Sequence, residues 1–154
     1  MLDRLAAGYE ADPDKRRDLR QQIHLQLWRS FAAFDGRCAL KTWTLRVAHN
    51  TSASYVIHER RVNAKLVSFE EIERTLESVE PPNDIDREKA LQDIQRVILT
   101  LKPLDRQIII SYLEGLDGAS IADITGLTPA NVGMKIHRIK KVLAGRIRKE
   151  QLHA

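Results

Sequence analysis

Residues 118–143, GASIADITGLTPANVGMKIHRIKKVL, are the stretch whose reading decides the fold. Ile121 and Ile124 lie three apart on one face of a first short helix. Gly126 follows, where a left-handed turn between two helices needs a residue without a Cβ. Leu127 can plug the corner. Thr128 is a good N-cap and Pro129 suits a first helical position. Val132, Ile136, Ile139 and Leu143 then form one apolar stripe of a second helix. Ala130, Met134, His137, Arg138 and Lys141 face the other way, with Asn131 and Lys135 on the flanks. A helix that is apolar on one side and basic on the other can enter a major groove. An ordinary helical hairpin with a solvated basic face would give the same pattern. Charge favours DNA: residues 128–154 hold seven Lys or Arg against the single acid Glu150, and phosphate contacts supply most non-specific affinity.

The chain of 154 residues has room for one ordinary domain or two small ones. Its charge is unevenly placed. Residues 1–67 carry twelve basic and seven acidic side chains, residues 68–95 three and nine, and residues 96–154 ten and five. Two basic blocks around an acidic segment predict two domains and a linker. Pro81-Pro82-Asn83-Asp84 cannot continue a helix. The expected division is a helical domain over 1–62, a flexible acidic linker over 63–88, and a helix-turn-helix domain over 89–154.

The periodicity is helical almost throughout, which predicts an all-α fold. Leu19, Ile23, Leu27, Phe31 and Phe34 recur at helical spacing and predict a helix over about 16–33. Leu40, Trp43, Val47 and Thr51 start a second over about 39–60, with Trp43 expected in the core. A short helix is expected over 2–9 and another within 69–76. Further helices fit about 89–101, 104–114, 118–125 and 129–149. No segment shows the sustained alternation of a half-buried strand.

Two constellations together carry a family resemblance. In the first half stand Asp18-Leu19-Arg20-Gln21-Gln22-Ile23-His24-Leu25-Gln26-Leu27-Trp28-Arg29, then Phe34-Asp35-Gly36-Arg37 to Trp43, then Arg46-Val47-Ala48-His49-Asn50. This stretch resembles region 2 of the extracytoplasmic-function sigma factors of bacterial RNA polymerase. Leu101-Lys102-Pro103-Leu104-Asp105-Arg106-Gln107, Tyr112 to Leu116 and the helix-turn-helix resemble their region 4. The two stand in the family's order and cover most of the chain.

The resemblance implies a sigma factor that directs promoter-specific initiation and has no catalysis of its own. It implies that Asp18, Leu19, Gln21, Gln22 and Ile23 dock on core polymerase, whose β′ and β subunits are the expected partners. It implies that Arg46, Asn50, Tyr55, His58, Arg60 and Arg61 meet the −10 element as the duplex opens. Unstacked bases need cations for phosphates and surfaces or pockets for the rings. Thr128, Asn131, Met134, Lys135, His137, Arg138 and Lys141 are carried over to −35 DNA. The acidic linker corresponds to the segment that threads the polymerase cleft, and an anti-sigma factor is a further implied partner. Departures are visible. Only about 17 residues precede Asp18, so the first helix is expected to be short or absent. Ser54 stands where the family commonly has an acid. Gly133 and Met134 occupy positions that are more often polar.

Other classes find little support. His24, His49, His58, His137 and His153 are scattered, and Cys38, alone, has no CxxC partner, so neither a metal nor another cofactor is expected. The seven glycines form no phosphate loop. Residues 1–20 lack the apolar run of a signal peptide, and no 18-residue apolar run predicts a membrane span. A cytoplasmic protein is the expectation. The competing function is a polymerase-independent helix-turn-helix regulator whose N-terminal half dimerises or senses. Its Asp18-to-Trp28 ridge would then be a self-complementary apolar face.

Overall fold

The computed structural model describes residues 1–59, 66–75 and 87–151, without the side chains of 69, 75, 87–90 and 146–151. Eight α-helices follow in order: α1 (Leu2–Tyr9), α2 (Pro13–Ser30), α3 (Leu40–Glu59), α4 (Phe69–Thr75), α5 (Arg87–Thr100), α6 (Pro103–Leu113), α7 (Gly118–Thr125) and α8 (Pro129–Gln151). A 3-10 turn, Phe31–Ala33, ends α2. Among the described residues no strand forms. A single parallel bridge joins Val67 to Leu101. No helix among them is long and apolar enough to cross a membrane.

Local sequence explains most helix boundaries. Asp12 caps α2, its carboxylate accepting from the amides of Asp14 (2.9 Å) and Lys15 (3.0 Å), and Pro13 takes the first position. Asp117 caps α7 by accepting from the Ser120 amide at 2.8 Å. Ser68 and Glu71 cap α4 reciprocally: the Glu71 carboxylate accepts from the Ser68 amide, and the Ser68 hydroxyl from the Glu71 amide.

Periodicity located the helices better than it located their buried faces. Leu19 and Ile23 are fully buried, but Phe31, expected on the same stripe, is 59% exposed, because the turn after Ser30 carries it off the helix face. Leu40 is also exposed. On α3 the buried line runs through Thr42, Trp43, Leu45, Ala48, His49, Ser52 and Val56.

The chain divides in two along its sequence, yet its halves share one core. Helices α1 and α3 pack on α5, α6 and α7. Leu5, Ala6, Leu45 and Ala48 join the same apolar cluster as Ile98, Ile109 and Ile121. Gly8 permits the closest approach: a Cβ there would stand 2.6 Å from the Ile110 Cδ1. Polar groups tie the same junction. Arg4 grips the Glu114 carboxylate with two bonds (2.7 and 2.9 Å), and the Lys41 ammonium donates to the Glu114 carbonyl at 2.8 Å. The His49 Nδ1 lies 3.0 Å from the Tyr9 hydroxyl, and its Nε2 lies 3.0 Å from the Ser111 hydroxyl. Neutral imidazole, with one donor and one acceptor, suits two hydroxyls. Burial holds the His49 pKa down at about 3 and pushes the Tyr9 phenol up. Arg106 is fully buried. Its guanidinium donates to the Leu101 carbonyl (2.7 Å), the Tyr9 carbonyl (3.3 Å) and the Leu99 carbonyl, and lies over the Tyr9 ring. Buried charge is tolerated where its donors are used in this way.

Candidate nucleic-acid interface

The helix-turn-helix is built as its letters require. Gly126 adopts φ +74 with open space around it, so backbone conformation, not crowding, demands glycine. Its amide closes α7 on the Ala122 carbonyl at 2.8 Å. The Thr128 hydroxyl accepts from the Asn131 amide at 3.3 Å, and Pro129 begins α8. Val132, Ile139 and Val142 are fully buried, while Ile136 and Leu143 pack beside them. On the outer side Thr128, Ala130, Asn131, Gly133, Met134 and His137 are exposed.

The cations of α8 are arranged differently from the sequence expectation. Lys135 points inward and its side chain is only 20% exposed. It bonds the nearly buried Asp105 carboxylate of α6 at 2.9 Å and Glu70 of α4 at 3.0 Å. Burial lowers the Lys135 pKa, but these two carboxylates win and raise it. Lys135 is thus a strut between α6, α4 and α8, on the flank where a DNA contact is expected. Arg138 meets Glu70 at 3.0 Å and Glu73 at 3.6 Å, and Lys141 meets Glu73 at 3.2 Å. Partial burial would raise the Glu70 pKa, but the amide bond to its carboxylate and Lys135 bring it down to about 2. The acidic helix α4 therefore lies along one flank of α8.

The N-terminal half presents a second polar surface. Gln22 and Gln26 of α2 face Asn50, Thr51, Ser54, Tyr55, His58 and Glu59 of α3 across an open groove. Asn50 and His58 are exposed, and Tyr55 is half-buried with its hydroxyl donating to Glu10 at 3.1 Å. Burial and Glu10 raise the Tyr55 pKa. Arg46 is half-buried one turn before Asn50. Arg60 and Arg61 lie outside the described residues. On α2, Asp18, Gln21 and Gln22 are exposed, whereas Leu19 and Ile23 have no accessible surface. These two pack α2 onto the core. His24, Leu25 and Trp28, within the Asp18-to-Trp28 ridge but not among the expected polymerase contacts, are exposed as well, Trp28 to 83%. The signal was available: they follow Gln21 by three, four and seven residues, on one helical face. Among the described residues no group of three or more His, Cys, Asp or Glu is placed to hold a metal ion.

Comparison with known proteins matches both halves. Residues 1–62 match the Sigma-70 region 2 family and residues 91–143 match Sigma-70, region 4. Over 129 residues the chain is 30% identical to the ECF RNA polymerase sigma-E factor of Escherichia coli, covering 79% of this chain and 66% of that protein. It is 24% identical over 141 residues to the sigma-E factor of Haemophilus influenzae, covering 84% and 73%. With the ECF sigma factor SigK of Mycolicibacterium vanbaalenii it shares 28% over 119 residues, and the match spans only 58% of that protein's length. The fold is similar to that of the sigma factor RpoE, co-crystallised with the anti-sigma factor NepR from Bartonella quintana. The TM-score is 0.64 at 22% identity, covering 92% of this chain and 86% of that one.

Proposed function

The chain belongs to the sigma-70 family, in its extracytoplasmic-function branch, and from that membership we propose that it directs promoter-specific initiation by bacterial RNA polymerase. One observation carries the reading: regions 2 and 4 occur in one chain, in order, each with its polar surface. In this reading the exposed ridge Asp18, Gln21 and Gln22 docks on the polymerase core. A polar ridge over a buried apolar line suits an interface rim and spares the fold.

The α2–α3 groove receives the −10 element. Asn50 supplies amide donors and acceptors, Tyr55 and His58 supply flat rings, and Arg46 with Arg60 and Arg61 supplies charge for phosphates. Stacking on such rings gains about 1–3 kcal/mol per base, comparable to the few kcal/mol that opening a base pair costs. The α7–α8 unit enters the major groove of the −35 element, Asn131, Met134 and His137 facing bases and Arg138 and Lys141 facing phosphates. An anti-sigma factor is the expected antagonist, as for the similar sigma factor solved with one. A subunit of this kind works with polymerase in the cytoplasm and has no catalysis of its own.

In-vitro transcription with purified core polymerase and a promoter library tests the proposal. Discrete start sites that require this chain are expected. Failure to bind core together with failure to select any promoter would reject it.

A further inference from the structure

We propose that α4 is an autoinhibitory clip, built into the chain, that occupies Lys135, Arg138 and Lys141 of α8 and must leave before α8 can grip duplex DNA. The inference rests on the reading of α8 as the −35-binding helix.

The clip has an anchor side and an acidic side. Seven residues are too few to hold a helix in water unaided, so α4 depends on its attachments. Val67 bonds in both directions to the α5–α6 connection: its amide donates to the Thr100 carbonyl (3.0 Å), and its carbonyl accepts from the Lys102 amide (2.9 Å). Ser68 and Glu71 cap the first turn, and Glu71 also pairs with Lys102 at 3.3 Å. Ile72 is 4% exposed in the core.

These attachments leave Glu70 and Glu73, three apart, aimed at α8. Together they take Lys135, Arg138 and Lys141, residues 65 to 68 positions away in sequence. Two carboxylates on two phosphate-binding cations compete directly with DNA, because a guanidinium or ammonium engaged by a carboxylate must be freed before it meets a phosphate. The outer face at Asn131, Met134 and His137 stays open, so base-facing positions are presented while the positioning charges are withheld. Each pair is partly exposed and individually weak. The clip is therefore a reversible bias, and a DNA or polymerase contact that captures α4 or α8 can open it.

The test measures binding of the full chain to a short mixed-sequence duplex at one fixed low salt concentration, by fluorescence anisotropy. Glu70→Gln with Glu73→Gln is expected to tighten binding about tenfold, from four weak pairs removed together. Asp14→Asn with Asp35→Asn removes the same charge far from α8 and is expected to change affinity less than twofold. In the unsubstituted chain, amide hydrogens of residues 70–74 are expected to exchange faster once DNA is added. Equal affinity for the Gln variant and the unsubstituted chain overturns the clip, as does an equal gain in the distant control or unchanged exchange in α4. Arg138→Ala with Lys141→Ala separates the two levels. If it weakens binding while the Gln pair has no effect, α8 still reads DNA and only the clip fails. If it changes nothing in any background, the assignment of α8 to DNA fails, and the clip with it.

Discussion

The α2–α3 groove and the α8 face are the two surfaces proposed to meet DNA, and they hold their polar groups in opposite ways. In the groove Asn50 and His58 are exposed, and the nearest acids, Glu10 and Glu59, are used at its edge by Tyr55 and Lys15. On α8 Lys135, Arg138 and Lys141 are engaged by carboxylates from α4 and α6. Charge in a sequence is thus a poor guide to charge available to a partner. The basic tail that signals DNA binding is partly neutralised by the acidic linker that signals a domain boundary. Between the two surfaces stands the α1–α3–α6 junction, through which any change in their relative placement must pass.

Several measurements would break or sharpen this contrast. The largest effect is expected at the junction itself. Arg106→Ala removes the cation that ties α5–α6 to α1 and leaves three carbonyls short of donors; a loss of about 4 kcal/mol in denaturant unfolding is expected. An unchanged midpoint would show that the two halves hold together without it. Ile23→Ala should cost about 3 kcal/mol as a buried truncation, whereas Gln22→Ala, one residue away, should leave stability alone and weaken core-polymerase pull-down. Equal stability loss at both would deny α2 its two distinct faces.

His49 makes the junction pH-sensitive. Its folded pKa is depressed to about 3 from 6.5, so folding excludes a proton that the unfolded chain accepts. Stability is complete above pH 6.5 and declines as pH falls toward 3, by about 2 kcal/mol at pH 5. Unfolding measured across this range should lose that slope in His49→Gln. Glu70, depressed to about 2 from 4.5, adds its contribution above 4.5 and loses it as pH falls toward 2.

Arg138→Ala with Lys141→Ala should weaken duplex binding about tenfold and leave core binding intact; Asp18→Ala with Gln22→Ala should do the reverse. Anisotropy and pull-down on the same preparations decide between them. The smallest effect is expected for Gly8→Ala. Its Cβ would push on the flexible end of Ile110, at a cost of about 1 kcal/mol in a thermal melt.

Element positions were legible from sequence because caps and 3.6-residue periodicity act within a turn or two. The helix-turn-helix, with its αL glycine, Thr cap and Pro start, was legible residue by residue. Helix faces were less so. Phe31 and Leu40 are as apolar as Ile23, yet Phe31 sits in the turn after Ser30 and Leu40 lies off the buried line of α3. On α2 Asp18, Gln21 and Gln22 are exposed, while Leu19 and Ile23 serve the core. Arg106 reads as one more surface cation until its neighbours are seen.

By itself, then, the sequence determined an all-helical chain, two regions flanking an acidic segment, and the family to which those regions belong. Only the tertiary structure decided that His49 and Arg106 are buried at a shared junction, and that Glu70 and Glu73 meet the cations of α8. The reason is range. Helix formation is settled by neighbours a few residues apart, whereas burial and ion pairing depend on which distant segment the chain brings back. Lys135 and Glu70, 65 residues apart, become partners only because Val67 and Ile72 dock α4 where α8 passes.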